Sequence, residues 1–367
     1  MNIAITGANG FLGKNLIFNL LTRSKDHIFY ITRKTSKEKL NSILKKSDII
    51  FHFAGVNIPS KQKTFDKDNI ELTKYICNYL LKHNLKKKIV FSSTIQVKKN
   101  NEYGKSKKNC EKILNNFAKK NNSKVIILRL PNIFGKWSKP NYNTVVSTFC
   151  SNISRNKKLN LIDPNKKLNL LYIDDLVNLL IKLKNQSNFK SRIIEKFQLT
   201  KKISVRDLSK LILCFEKNRK NFYINDLNKK FIRDLYSTYI TFLPKKKIQY
   251  KLNAHVDSRG SFIEFIKTNS NGQFSVFIAK KNQVRGHHFH HSKVEKFLAI
   301  KGKGEFYMND ISSNKKMKFL IDGNYPTVIE SIPGWQHYIK NTGFTDLIVL
   351  LWSNEVFNVN KPDTYRI

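Results

Sequence analysis

"NIAITGANGFLGKNL", Asn2 to Leu16, opens the chain with a short apolar strand, a turn carrying Gly7, Gly10 and Gly13, and the first turns of an amphipathic helix. Glycines at G-x-x-G-x-x-G spacing between strand and helix leave backbone N–H groups bare and turn the helix N-terminus toward the loop, as a pyrophosphate requires. A glycine turn that merely lets strand and helix pack closely would need the same residues; the strand–turn–helix context favours the dinucleotide. Gly7, Gly10, Phe11, Leu12 and Gly13 are therefore expected to contact it. Working outward, short β-type runs (Ile3–Thr6, Ile28–Thr32, Ile49–Ala54, Ile89–Ser92, Val125–Leu130) alternate with helical stretches. That alternation implies an α/β unit with a doubly wound, Rossmann-type parallel sheet.

From about Leu252 the pattern changes to closely spaced short strands with Gly, Asn and Asp turns, the signature of an all-β sandwich or barrel. The boundary is expected in "FLPKKKIQY", Phe242 to Tyr250, giving domains 1–244 and 245–367. A length of 367 residues suits two domains. The net charge of +42 comes almost wholly from Lys scattered through every segment, so no nucleic-acid partner is expected; a polyanion binder gathers its basic residues on one element. Attraction of anionic small molecules remains. Cys77, Cys110, Cys150 and Cys214 form no CxxC pair, which argues against a disulfide framework or a thiolate zinc site. No apolar run reaches about eighteen residues and no leader precedes the first strand, so a cytoplasmic protein without a membrane partner is expected.

After the second strand, "YITRKTS" (Tyr30–Ser36) offers no acid for an adenosine ribose. Arg33 is instead placed to fork onto a 2′-phosphate, which predicts NADPH; a solvated basic turn is the plainer alternative, weightier for Lys34 than for Arg33. "EYGKSKKNC" (Glu102–Cys110) puts Tyr103 and Lys107 on one helix face, downstream of "FSSTIQV" (Phe91–Val97). A phenol near pKa ~10 is a poor acid–base at neutral pH unless an ammonium stabilises its anion. Y-x-x-x-K alone reads equally as a surface pair; after the glycine turn and a strand ending Ser-Ser-Thr it reads as a site.

These features resemble the extended branch of the short-chain dehydrogenase/reductases. The resemblance implies that Tyr103 protonates a substrate carbonyl oxygen, that Lys107 lowers the Tyr pKa and holds the nicotinamide ribose, and that Thr94 binds the same oxygen. Further pieces recur in order: "HFAGV" (His52–Val56), with Ala54 and Gly55 at the cofactor, Asn69, "RLPNIFG" (Arg129–Gly135) and "LYIDDL" (Leu171–Leu176). Those enzymes act mostly on nucleotide sugars, and the fourth element implies that Asn132 meets the substrate diphosphate, against a turn-forming role after Pro131. Asp175 reads as a helix cap. Between Lys34 and Asp48 the chain departs from the family, with a Lys-rich helix where a strand ending in an acid is expected.

"GHHFHHSKVEKFLAIKGKG" (Gly286–Gly304) and "PGWQHYIKN" (Pro333–Asn341) resemble the two boxes of the cupins. That likeness implies a β-barrel gathering His288, His290, Glu295 and His337, and three imidazoles with a carboxylate suit Zn²⁺ or another first-row divalent ion. His287 and His291 have the opposite strand parity and are expected to face out. "DSRGSFIEF" (Asp257–Phe265) and "VRGHHF" (Val284–Phe289) also resemble metal-free cupin 3,5-epimerases of nucleotide 4-keto sugars, which implies Arg259 on a diphosphate and His288 as base. A metal-bound imidazole cannot be that base, so the two readings compete.

Both halves, with "FGKWSKPNYN", "DLYSTYITFLP" and "NEVFNVNKPDTY", resemble a family of bifunctional bacterial enzymes of capsule and O-antigen synthesis. The resemblance implies a UDP-sugar substrate. The cupin would epimerise C3 of a UDP-2-acetamido-2,6-dideoxy-4-hexulose, and NADPH-dependent reduction at C4 would give UDP-2-acetamido-2,6-dideoxy-β-L-talose, on the route to UDP-N-acetyl-L-fucosamine. A homodimer is expected. The alternatives are a reductase with a non-catalytic binding or dimerisation module, and a silent redox-sensing regulator, which the Thr94, Tyr103, Lys107 set argues against.

Overall fold

A computed structural model of the chain describes residues 1–56 and 69–366. Contacts divide it into two compact units, Met1–Leu213 with Asp234–Leu243, and Cys214–Arg233 with Pro244–Ile367.

In the first unit β1 (Asn2–Thr6), α1 (Phe11–Arg23), β2 (His27–Ile31), α2 (Lys37–Lys46), β3 (Ile49–His52), α3 (Glu71–Lys82), β4 (Lys88–Thr94), α4 (Glu102–Asn121) and β5 (Lys124–Leu130) alternate strictly. There follow β6 (Asn132–Phe134), α5 (Val145–Ser154), β7 (Lys167–Tyr172), α6 (Ile173–Asn185), β8 (Arg192–Ile194) and β9 (Lys201–Ser204). Among the described residues one six-stranded sheet runs β2-β1-β3-β4-β5-β8, every pair parallel. The strand order reverses beside β1, and in such sheets ligands collect at the C-terminal strand ends of that reversal. The glycine turn leaves β1 there.

Successive strand residues serve opposite faces. Ile3, Ile5, Phe51, Val90, Ile126 and Leu128 pack with α1 and α6, while Ala4, Ile50, Ile89, Phe91, Val125 and Ile127 pack with α2, α3 and α4. Continuous apolar strands are what a sheet covered on both sides demands. Truncating the fully buried Phe51 to Ala removes contacts worth about 3–5 kcal/mol. The stretch after Lys34 makes α2 because Leu40, Ile43 and Leu44 fall on one helical stripe and the Ser36 side chain caps the Lys39 N–H at 3.2 Å.

Helix α7 (Val205–Lys220) leads to β10 (Tyr223–Ile224), α8 (Lys230–Ile240) and the short α9 (Lys245–Ile248). The boundary expected at 244/245 lies beside the change of unit at Leu243/Pro244. The stretch Cys214–Arg233 is grouped with the second unit because β10 pairs with β12 (Gly260–Thr268), Lys247 binds Glu216 at 2.5 Å, and Phe222 stacks on Tyr250.

The rest of the second unit is β11 (Ala254–Asp257), β12, β13 (Gln273–Ala279), β14 (Val284–His288), β15 (Glu295–Lys301), β16 (Lys303–Asp310), β17 (Lys316–Asp322), β18 (Val328–Glu330), β19 (Trp335–Asn341) and β20 (Leu347–Ser353). One sheet runs β10-β12-β13-β20-β15-β18, and a second runs β14-β19-β16-β17. Phe277, Phe297 and Val349 from the first join Phe306, Met308, Ile321 and Ile339 from the second in one core, the all-β arrangement that the spacing of short strands predicts and that the cupin resemblance implies. Among the described residues no helix is long and apolar enough to cross a membrane.

Candidate functional sites

The first site lies at the C-terminal ends of β1, β3 and β4. Gly7 has φ +67, and a Cβ there would stand 2.9 Å from the Ala54 N, so only glycine lets this turn pass the end of β3. Gly10 is the N-cap of α1, and no side chain caps it, which leaves the first-turn N–H groups for an anion. A bare glycine cradle, an uncapped helix start and the ends of β1 and β3 fit a dinucleotide. Arg33 is exposed in the turn after β2, and the residues of that turn, Thr32 to Ser36, include no acid.

A buried clamp holds this arrangement. Thr6 Oγ1 accepts the N–H groups of Phe53 (3.1 Å) and Ala54 (3.0 Å), so its own hydrogen goes to His52 Nδ1 at 2.8 Å. His52 Nε2–H then donates to Thr73 Oγ1 at 2.9 Å, which donates onward to the Asn69 carbonyl. Burial first, and Lys107 after it, lower the His52 pKa to about 3, so the ring stays neutral. Asn69 in turn accepts the Val56 N–H at 2.8 Å.

Helix α4 begins with Asn101 capping the Gly104 N–H at 2.7 Å, and this sets Tyr103 and Lys107 one turn apart, with Lys107 reaching β4. Lys107 is buried, donates to the Ser92 carbonyl at 3.0 Å, and is lowered by burial to about 8, still mostly protonated at neutral pH. Burial, and then Tyr142, push the Tyr103 phenol up to about 12. In this arrangement the lysine charge is turned to Ser92 while the phenol is desolvated. Of the three hydroxyls closing β4, Ser92 donates to His52 O and Ser93 to Glu111 at 2.5 Å. Thr94 accepts the Gln96 N–H at 3.2 Å, which leaves its hydrogen uncommitted among the described residues.

Sequence reasoning missed Glu111, one turn beyond Lys107. It is buried, holds Ser93, and pairs with Arg129 at 2.8 Å. The i, i+4, i+8 spacing from Tyr103 was the available signal. Asn132 is exposed as the first residue of β6. Asp175 is not the cap of α6: Tyr172 is, and Asp175 lies in the first turn, where a carboxylate favours the helix dipole.

The second site is a cavity of about 560 Å³ inside the β unit. His288, His290, Glu295 and His337 line it, with one ligand atom from each within 4.8 Å of all the others. Glu295 Oε2 lies 3.1 Å from both His290 Nε2 and His337 Nε2. The second nitrogens also face acceptors: His290 Nδ1 is 2.5 Å from the Asp363 carbonyl and His337 Nδ1 is 3.4 Å from that of Trp335. Four ring nitrogens thus face three acceptor atoms, and rings carrying one N–H each cannot serve all four contacts. A cation at the centre, taking two imidazole lone pairs and the carboxylate, resolves the mismatch, and the donor set fits a divalent metal. Burial, then His337, lowers His288 to about 4 and keeps it neutral. Burial acts to raise Glu295, but its bonds to His290 and His337 prevail and hold it below the usual carboxylate range.

A β-bulge aims these residues. Opposite β19, Arg285 pairs with Ile339 and Gly286 with Tyr338, but His288 pairs with His337, so His287 is the extra residue. Gly286 and His287 have φ 106 and 60. Arg285 and His288 therefore both enter the cavity, while His287 is exposed and stacks on Tyr338 at 4.2 Å. His291 is exposed as well. Arg285, missed in the sequence, is half-buried and lies 3.4 Å from Asp257, which also holds Arg259 at 2.6 Å. The cavity thus has an arginine pole and an imidazole–carboxylate pole.

Fold and sites define a class: a Rossmann-type nucleotide-binding unit with a Thr-Tyr-Lys set, joined to a barrel with a His₃Glu cluster. Residues 3–194 match the NAD dependent epimerase/dehydratase family, and residues 255–365 match the polysaccharide biosynthesis C-terminal domain. The chain belongs to the NAD dependent epimerase/dehydratase family and carries that C-terminal domain. It is 38% identical over 365 residues to a UDP-2-acetamido-2,6-beta-L-arabino-hexul-4-ose reductase of Pseudomonas aeruginosa, covering 100% of this chain and 98% of that one. The capsular polysaccharide assembling protein CapF of Staphylococcus aureus superposes with TM-score 0.92 at 38% identity, over 100% of both chains. A UDP-glucuronic acid 4-epimerase from Bacillus cereus, solved with NAD, shares the fold over 66% of this chain and 98% of its own, with TM-score 0.56 and 17% identity.

Proposed function

We propose that the chain is a bifunctional nucleotide-sugar enzyme that epimerises C3 of a UDP-2-acetamido-2,6-dideoxy-4-hexulose in the cupin cavity and reduces C4 in the first unit. The product is UDP-2-acetamido-2,6-dideoxy-β-L-talose, for UDP-N-acetyl-L-fucosamine and capsule or O-antigen synthesis. What carries this reading is the coexistence of Thr94, Tyr103 and Lys107 with the His–Glu cluster in a chain alignable end to end with a UDP-hexul-4-ose reductase.

Order follows from chemistry. The C3 proton is acidic only while C4 is a ketone that can take up the carbanion charge as an enolate, so epimerisation precedes reduction. In the cavity Arg285 and Arg259 hold the diphosphate, and His288, His290, Glu295 and His337 hold Zn²⁺ or a similar ion. Bound there, the ion supplies Lewis-acid polarisation. In the first unit Gly7, Gly10, Phe11, Leu12, Gly13, Ala54 and Gly55 cradle the dinucleotide, Arg33 selects its 2′-phosphate, and Asn132 meets the substrate diphosphate. NADPH bound there supplies the hydride. Thr94 donates to the C4 oxygen and orients it. Tyr103 protonates that oxygen, and the Lys107 ammonium, one turn further along α4, would have to turn from the Ser92 carbonyl to support the phenolate left behind. The chain acts as a homodimer, which light scattering tests.

The test is incubation of the protein with the 4-keto UDP-sugar in heavy water. Deuterium should enter C3 without NADPH, and ketone should be consumed only with it. Reduction without any C3 exchange would support the other reading, a nucleotide-sugar 4-reductase whose β unit only binds or dimerises.

A further inference from the structure

The stretch "KPDTY", Lys361 to Tyr365, is bound at many points to the loop that carries the candidate metal ligands. Phe289 N–H donates to the Tyr365 carbonyl at 2.9 Å, and Tyr365 N–H returns to the Phe289 carbonyl at 3.0 Å. The Asp363 carboxylate accepts the N–H groups of His291 (3.0 Å), Ser292 (3.0 Å) and Lys293 (2.9 Å), and the Ser292 hydroxyl at 3.0 Å. Lys293 is buried and donates to the Pro362 carbonyl at 3.0 Å and to Thr364 Oγ1 at 3.2 Å. The carbonyl of the same Asp363 faces His290 Nδ1.

Three consecutive N–H groups between His290 and Glu295 need acceptors, and one carboxylate provides for all of them. The main-chain carbonyl does something different. It can only accept, so with a cation in the cluster it holds the hydrogen of His290 on Nδ1 and leaves the Nε2 lone pair for the metal. Asp363 holds both groups in place from φ 32, in the left-handed region where a non-glycine residue is strained.

We propose that Asp363 is a positioning residue of the metal centre: its carbonyl sets the His290 tautomer, and its carboxylate fixes the turn that separates His290 from Glu295. The inference rests on the reading of His288, His290, Glu295 and His337 as metal ligands. Outer-shell partners of this kind change metal affinity about 10–100-fold. The full chain, stripped with a chelator, is titrated with Zn²⁺ against a chromophoric competitor. Asp363→Ala should weaken Zn²⁺ binding about 10–100-fold, and Asp363→Asn, which keeps an acceptor oxygen for the turn, should recover part of the loss. Co²⁺ loaded in place of Zn²⁺ should show a shifted visible absorption band in Asp363→Ala as the His290 ring loses its orientation. Tyr365→Ala, which removes ring packing against Phe289 and the exposed His291 but no hydrogen bond of Asp363, should leave both readouts near the parent. A purely structural role would lower the melting temperature of the metal-free variants while Zn²⁺ affinity stayed at the parent value, and that result overturns the proposal. If Asp363→Ala does not fold, Asp363→Asn decides alone, with unchanged affinity counting against it. A parent protein that binds no Zn²⁺ sinks the metal reading itself, whereas a binding parent with equally binding variants sinks only the role of Asp363.

Discussion

The two candidate sites use burial in opposite ways. In the first unit desolvation acts almost unopposed: Tyr103 is pushed up to about 12, Lys107 down to about 8 and His52 down to about 3. In the cavity of the second unit burial is overruled for one member. Glu295 stays ionised because two imidazoles turn their Nε2 atoms to it at 3.1 Å, and it becomes the negative centre of the cluster. Desolvation keeps a proton on a phenol, while convergence keeps a charge on a carboxylate. The second suits a cation, and the first gives up its proton only where a nearby positive charge supports the anion.

The hardest test of that division is Tyr103→Phe. Loss of general-acid assistance is worth about 10²–10⁴-fold, so NADPH oxidation should fall by that factor while deuterium uptake at C3 continues, followed by NMR. If exchange stopped too, in a folded variant of unchanged metal content, both steps would belong to the first unit and the contrast would collapse.

On the other side, the parent protein should carry about one divalent ion per chain by elemental analysis. His290→Ala and His337→Ala should each lose it, because removing one of three imidazoles opens the ligand set. C3 exchange should fail in these variants while NADPH still binds, measured by nicotinamide fluorescence. Full occupancy in either variant would mean the ligands are wrong.

Acid should sharpen the comparison. His52 has a folded pKa of about 3 against about 6.5 unfolded, so below pH 6.5 the unfolded chain takes a proton that the folded one refuses. Stability of the first unit should therefore drop by about 2 kcal/mol between pH 7 and pH 5 on this account alone. His52→Gln should flatten that dependence in denaturant melts. An unchanged slope would show that the clamp is not neutral histidine.

The smallest effect is expected at exposed Arg33. A charge-assisted contact to a 2′-phosphate is worth about tenfold in preference, so Arg33→Asp should reduce or reverse the ratio of kcat/KM for NADPH over NADH. Equal use of both cofactors by the parent would remove Arg33 from the site.

Much of the first unit was legible because its signals are local. The glycine turn, the strand alternation and the Tyr103–Lys107 pair each lie within a dozen residues, and one helix turn places the pair. The direction of the Tyr103 shift was not legible, since it depends on the packing that surrounds the phenol and on where the Lys107 ammonium is anchored. In the second unit the four cluster residues could be read from two short boxes. Arg285 could not, because strict alternation sends it and His288 to opposite faces. Asp363 lies in a stretch, "NEVFNVNKPDTY", that carries the family resemblance, but its role could not be read: it meets His291, its hydrogen-bond partner, across 72 residues of sequence.

The bulge at His287 also constrains how this strand can change through descent. Arg285 and His288 are three positions apart, an odd number, yet they share one cavity because one extra residue has been absorbed between them. A single-codon deletion there would restore regular pairing and keep both side chains inward at an even spacing, so it is a small step. A single-codon insertion between Arg285 and His288 that no second bulge absorbs would reverse one of them and separate the arginine pole from the imidazole pole in one event. Lineages of this barrel should therefore show the arginine–histidine spacing and the bulge gained or lost together, a parity rule that can be read from nucleotide sequence without any structure.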